Sequence, residues 1–225
     1  MKQDCGSAGS KIKGLLPPYA WGCLAAMVAS QLFAFYITRL LLPHLPSYTL
    51  DLPLDAAIPL IPEWVIVYVL AFASWAVSGV VILRQGKRHA FRFAGAYVVA
   101  MLLSTVAFLA WPLRLEWPEV AGNGFCEKLL LMVYGADQPN NLCPSLHVLA
   151  SYFCWRGLWG CPRVPAWFKA FNFVFLILVC FSVVFVKQHL SIDIAGGIIV
   201  GEAAIQAARL LRPERIAGLR GDSGE

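Results

Sequence analysis

Six apolar stretches dominate this chain, at roughly 18–42, 64–83, 93–111, 145–159, 167–186 and 192–211. A bilayer core about 30 Å thick needs about 20 apolar residues per helical crossing. Each stretch is near that length, the fourth being the shortest. In hydrocarbon every backbone amide must be paired within its own segment or in a closed barrel, and no stretch shows the alternation of a barrel strand. The expected fold is therefore all-α: a polytopic six-transmembrane-helix bundle forming a single membrane domain over 1–225. Its core is 18–211, with cytoplasmic flanks at 1–17 and 212–225. The composition agrees, with 59% hydrophobic residues, 14% charged residues and a mean hydropathy of +0.67, against about 25% charged in soluble domains.

The apolar run after the basic N-terminus is too long for a signal-peptide h-region, so it reads as the first span. The net charge of +5 does not imply nucleic acid, because the basic residues sit at the ends of apolar stretches. One set of connections holds Lys2, Lys11, Lys13, Arg84, Lys87, Arg88, Arg92, Arg163, Lys169, Arg212, Arg215 and Arg220. The other holds Arg114, Lys128 and Lys187 with the acids Asp51, Asp55, Glu63, Glu116, Glu119, Glu127 and Asp137. By the positive-inside rule both termini are cytoplasmic. Trp64, Trp111, Trp117, Trp159 and Trp167 lie near span ends, where interfacial anchoring is the ordinary reading. The connection 112–143 is the longest, with a short amphipathic helix expected at 125–134; a loop of that length is usually functional. The cysteines show no metal-ligand spacing. Cys126 and Cys143 share an outer segment, where a disulfide is one open alternative.

Three features fall on the extracytoplasmic side. Asn141 through His147 (Asn-Leu-Cys-Pro-Ser-Leu-His) opens the fourth span, and Lys187 through Asp193 (Lys-Gln-His-Leu-Ser-Ile-Asp) joins the fifth to the sixth. The third, weaker feature runs from Trp111 to Pro118 and contains Arg114. His189 and Asp193 are four residues apart, so on a helix they share a face. A carboxylate on one imidazole nitrogen fixes the tautomer and leaves the other nitrogen as a nucleophile. His147 adds a second imidazole, and the amides at the start of the fourth span, with Ser145, suit an anion. Each residue also has an ordinary reading: an interfacial histidine, an ion-relay aspartate, or a serine that caps its helix. The joint pattern favours phosphoryl transfer through a phosphohistidine.

Pro144-Ser145-Leu146-His147 resembles the second signature of the type-2 phosphatidic acid phosphatase superfamily, and Ser182 through Asp193 resembles the third. The forms Pro-Ser-Leu-His and Lys-Gln-His-x3-Asp look like the branch that includes inositol phosphorylceramide synthases. The resemblance covers roughly 93–211. It implies six membrane helices and a site at the outer leaflet, with His189 as nucleophile, Asp193 orienting it and His147 protonating the leaving oxygen. The phosphate-binding candidates are Ser145, Lys187, Arg114 and Asn141. The third signature's Arg falls at Val183, with Lys187 as the substitute, and Trp117-Pro118 stands at the first signature's Arg-Pro. No metal or organic cofactor is implied. The expected activity is hydrolysis of a phospholipid or polyprenyl phosphate. Two alternatives stay open: a phosphotransferase of the inositol phosphorylceramide synthase type, and a non-catalytic binder of lipid phosphate.

Overall fold

Proline marks where several of the helices begin. Its missing N–H costs nothing in a first turn, where amides have no intrahelical acceptor. The computed structural model describes residues 14–50, 52–137, 139–212 and 218. The flank up to residue 13 and most of the C-terminal tail lie outside the described residues, with Lys2, Lys11, Lys13, Asp51, Arg215 and Arg220. Helix α1 spans Pro18–Leu41 and the short α2 spans Pro53–Ala57, each with proline in its first turn. A 3-10 turn at Pro62–Trp64 leads into α3, Val65–Leu83. Then follow α4 (Lys87–Ala110), α5 (Phe125–Ala136), α6 (Leu146–Gly157), α7 (Ala166–Phe185, entered from Pro165) and α8 (Ser191–Leu211). The expected amphipathic helix in the long connection is α5.

Among the described residues, five segments are long and apolar enough to cross a membrane: those carrying α1, α3, α4, α7 and α8. Much of their apolar surface faces outward, as at Phe33, Tyr36, Phe72, Val106, Phe173 and Ile199. An exterior of that kind suits hydrocarbon rather than water. The fourth expected span differs. Helix α6 has 12 residues, about 18 Å at 1.5 Å per residue, which is short of a bilayer core.

Helix α6 lies at the centre of the bundle, and Val148 through Cys154 are all buried. Leu149 and Phe153 pack into one core with residues of α1, α4 and α8. Val148 and Tyr152 pack into the other with α3, α5 and α7. Its start lies beside the α7–α8 junction, where Leu142 O accepts from His189. Its end lies beside the start of α4, where His89 Nε2 is 2.9 Å from Gly157 O. Interior position explains its composition, because Ser151, Tyr152, Trp155 and Arg156 have protein partners rather than lipid.

Single polar contacts tie the helices together. Trp75 Nε1 donates to Ser151 Oγ at 2.9 Å, Ser78 Oγ to Asn172 Oδ1 at 2.8 Å, and Tyr97 Oη to Gln31 Oε1 at 2.7 Å. In membrane bundles each is worth about 0.6 kcal/mol on average. Close approach does more. Gly197, Gly201, Ala204 and Ala208 form the buried stripe of α8. A Cβ at Gly197 would stand 2.8 Å from Ser145 O, and one at Gly196 2.7 Å from Cys143 Sγ. Two adjacent glycines thus let the loop before α6 lie directly on α8.

Candidate active site

The site is built around the short junction between α7 and α8. Helix α7 ends sharply: Lys187 takes φ +53°, and the amides of Gln188 and His189 both donate to Val183 O. A positive φ at a non-glycine residue is held only where surrounding structure enforces it, and several segments do so. Ile61 N donates to Phe185 O at 2.9 Å, and Tyr134 Oη to Val186 O at 2.7 Å. Ser145 N donates to Asp193 O at 3.0 Å. Helix α2 closes the set, as Asp55 accepts from Ser191 N at 2.7 Å and from Ser191 Oγ at 3.0 Å.

His189 and Asp193 meet as expected, by a different geometry. His189 precedes α8, and Asp193 sits at the third position of that helix and reaches back. Asp193 Oδ2 accepts from Leu190 N at 2.8 Å and lies 3.2 Å from His189 Nδ1. The same Nδ1 lies 3.0 Å from Leu142 O. Both neighbours of Nδ1 are acceptors, so Nδ1 carries the proton and the neutral ring keeps its lone pair on Nε2. Asp193 is fully buried, and among the described residues its Oδ1 has no hydrogen-bond partner.

A cavity of about 480 Å³ opens beside this junction. His189, Lys187, Asp55 and Glu116 supply its polar wall; Leu52, Leu115, Pro118 and Val184 are among its apolar lining. His189 is 9% exposed, enclosed yet on the cavity wall.

Other expected site residues are placed differently. Ser145 does not line this cavity. It is fully buried and caps α6, its Oγ accepting from Val148 N at 3.4 Å while its amide is engaged by Asp193 O. Lys187 lines the cavity, but Nζ donates to the carbonyls of Asp55 and Ile58 at the end of α2. Burial lowers the Lys187 pKa, and Asp55 opposes that shift. Arg114 lines a second cavity of about 370 Å³ with Asn140, and its amide donates to Tyr48 O at 2.8 Å. Asn141 adopts φ +68° with its Oδ1 buried and unpartnered among the described residues. His147 is stacked on Tyr68 of α3, ring centroids 3.9 Å apart, with Phe72 and Trp75 beside it. Its Nε2 is buried without a partner among the described residues.

Trp117 stacks on Tyr134, ring centroids 4.4 Å apart. Cys126 and Cys143 are free thiols. Burial, and then the Asp193 carboxylate, push the Cys143 thiol up to about 11, which keeps it protonated at neutral pH and removes it as a nucleophile. The residue that sequence reasoning missed is Asp55, counted there only as an outer-face acid. Its one local signal is an acid among apolar residues just after Pro53.

No family model, curated protein or solved structure matches the chain.

Proposed function

We propose that this chain is an integral-membrane phosphatase that removes phosphate from a lipid phosphate or diphosphate monoester through a phosphohistidine on His189. The observation that carries this reading is the seating of His189 Nδ1 between two acceptors, Leu142 O and Asp193 Oδ2. That seating leaves Nε2 as the nucleophilic nitrogen of a ring on the cavity wall. Attack by Nε2 forms an N–P bond and breaks the P–O bond to the lipid, whose oxygen takes up a proton. Water then attacks phosphorus, breaks the N–P bond and releases inorganic phosphate. Positive charge on the imidazole is met by Asp193, held in place by the Leu190 amide. The resemblance makes His147 the acid, and in that role its ring leaves the Tyr68 stack to face the cavity.

In this reading α6 is the fourth crossing of a six-helix bundle, completed by the turns that follow it. The lysine and arginine asymmetry supports cytoplasmic termini and an outward-facing His189. The apolar lining of the 480 Å³ cavity suits the lipid part of the substrate.

A second reading has its own support. Ser145 and Lys187 are occupied by backbone groups, and His147 lies against α3. That favours a pocket that binds lipid phosphate without turnover. Product analysis in mixed micelles separates the readings. The wild type and His189→Ala are given phospholipid phosphates and polyprenyl diphosphates, with and without inositol or diacylglycerol acceptors. His189-dependent free phosphate is the expected product. A new phosphodiester without free phosphate makes the chain a transferase. Lipid binding that survives His189→Ala, with no product from wild type, makes it a binder.

A further inference from the structure

A second polar site lies at the opposite end of the bundle, where α4 begins and α6 and α8 end. A cavity of about 380 Å³ there is walled by His89, Arg92, Arg156 and Arg209. The rest of its wall is largely apolar, including Phe93, Phe153 and Ile205, with Trp159 alongside. Arg156 is held from two sides: it pairs with Glu202 at 3.0 Å and lies 4.3 Å over the Trp159 ring. Glu202 also accepts from Tyr152 Oη at 2.7 Å and from the Gln206 amide. Arg209 donates to Gln206 Oε1 at 2.9 Å.

Three guanidinium groups line this cavity, and the Glu202 carboxylate that pairs with Arg156 also accepts from Tyr152 and Gln206. A guanidinium has five N–H donors in a planar fork that matches phosphate oxygens. Arg156 donates through Nη2 to Glu202 and Arg209 through Nη1 to Gln206. Beside Arg209, Leu210 and Leu211 are 84% and 58% exposed, so this level of α8 borders the hydrocarbon of a bilayer. A basic cavity between membrane helices at that boundary is the pattern of an anionic-lipid headgroup site.

We infer that the cavity between α4, α6 and α8 holds the phosphate headgroup of an anionic phospholipid. Arg92, Arg156 and Arg209 meet its oxygens, and Phe93, Phe153 and Ile205 meet its glycerol and upper chain. A soluble anion would use the cations but not the apolar wall. The proposal owes nothing to the reading of His189 and stands or falls separately.

Purified full-length protein in phosphatidylcholine nanodiscs containing a minority of phosphatidylglycerol tests it, with co-retained lipid read by native mass spectrometry. Wild type is expected to retain phosphatidylglycerol over phosphatidylcholine by about tenfold, and Arg92→Gln/Arg209→Gln to lose that preference. Both arginines are exposed, and the melting temperature in phosphatidylcholine alone is the fold control. If the double variant fails that control, Arg209→Gln alone carries the test. Equal retention of the two lipids by wild type overturns the inference, as does an unchanged preference in the variant. Displacement of phosphatidylglycerol by inorganic phosphate alone overturns the lipid assignment.

Discussion

At the α7–α8 junction Asp193 uses one oxygen for the Leu190 amide and His189, while Oδ1 stays buried and unpartnered among the described residues. In the segments that meet there, Asn141 Oδ1, His147 Nε2 and Gln188 Nε2 are in the same condition among the described residues. At the far end of α6 and α8, Glu202 is met by Tyr152, Arg156 and Gln206. Both ends place a carboxylate of α8 against α6 or the loop that leads into it. The Asp193 carboxylate leaves one oxygen over among the described residues, and the Glu202 carboxylate uses both. Buried polar groups are ordinarily paired, and the exceptions tend to mark function. On the proposed reading, the difference puts chemistry at the Asp193 end and anchoring at the Glu202 end.

The largest effect that would sharpen this contrast is on turnover. Asp193→Asn should lower the His189-dependent rate by about 10³-fold, less than the roughly 10⁴ seen when a sole orienting aspartate becomes asparagine. Leu142 O still accepts from Nδ1 and preserves much of the tautomer. Steady-state kinetics with an unchanged melting temperature is the check, and a wild-type rate in Asp193→Asn would break the contrast. Gly197→Ala comes next. Its Cβ meets backbone atoms of Ser145 and Leu149 at 2.8 and 3.2 Å, and backbone cannot move aside, so about 2–3 kcal/mol of stability should be lost. Thermal unfolding reads this, and a fully stable variant would mean that α8 does not seat the signature loop.

Glu202→Leu should remove about 2 kcal/mol, because it leaves Arg156 without its carboxylate. Activity per folded molecule should not change, and a fall in kcat with intact stability would place Glu202 in the chemistry. The smallest effect is expected at Asp55→Ala, which strips the acceptor from the start of α8 at a cost of about 1 kcal/mol. It should raise KM more than it lowers kcat, since Asp55 lines the cavity and also steadies the junction. An unchanged KM would show that α2 is only a clasp.

The membrane helices were legible because bilayer thickness writes itself into apolar length. The first apolar stretch, 18–42, differs from α1 by one residue at its end. Helix α6 was harder to read, because a helix wrapped by protein on all sides needs neither the length nor the hydropathy of a lipid-facing one. His189 and Asp193 were legible because they are close in the chain. Lys187 and Asp55 are 132 residues apart, and no local pattern announces that contact. The seat of His147 on Tyr68 is likewise set by how α3 packs on α6. Ser145 carried both its readings in the sequence, and the structure realises the cap.

The central claim is that Nε2 of His189 takes the phosphoryl group, and rapid acid-free quenching of the purified protein during turnover tests it most directly. Peptide mass spectrometry on the quenched sample should find an acid-labile phosphoryl group on His189 in wild type, accumulating further when His147 is replaced by alanine only if that ring serves the second step. Full activity in His189→Ala, or a phosphoryl group trapped on any other residue, would contradict the account.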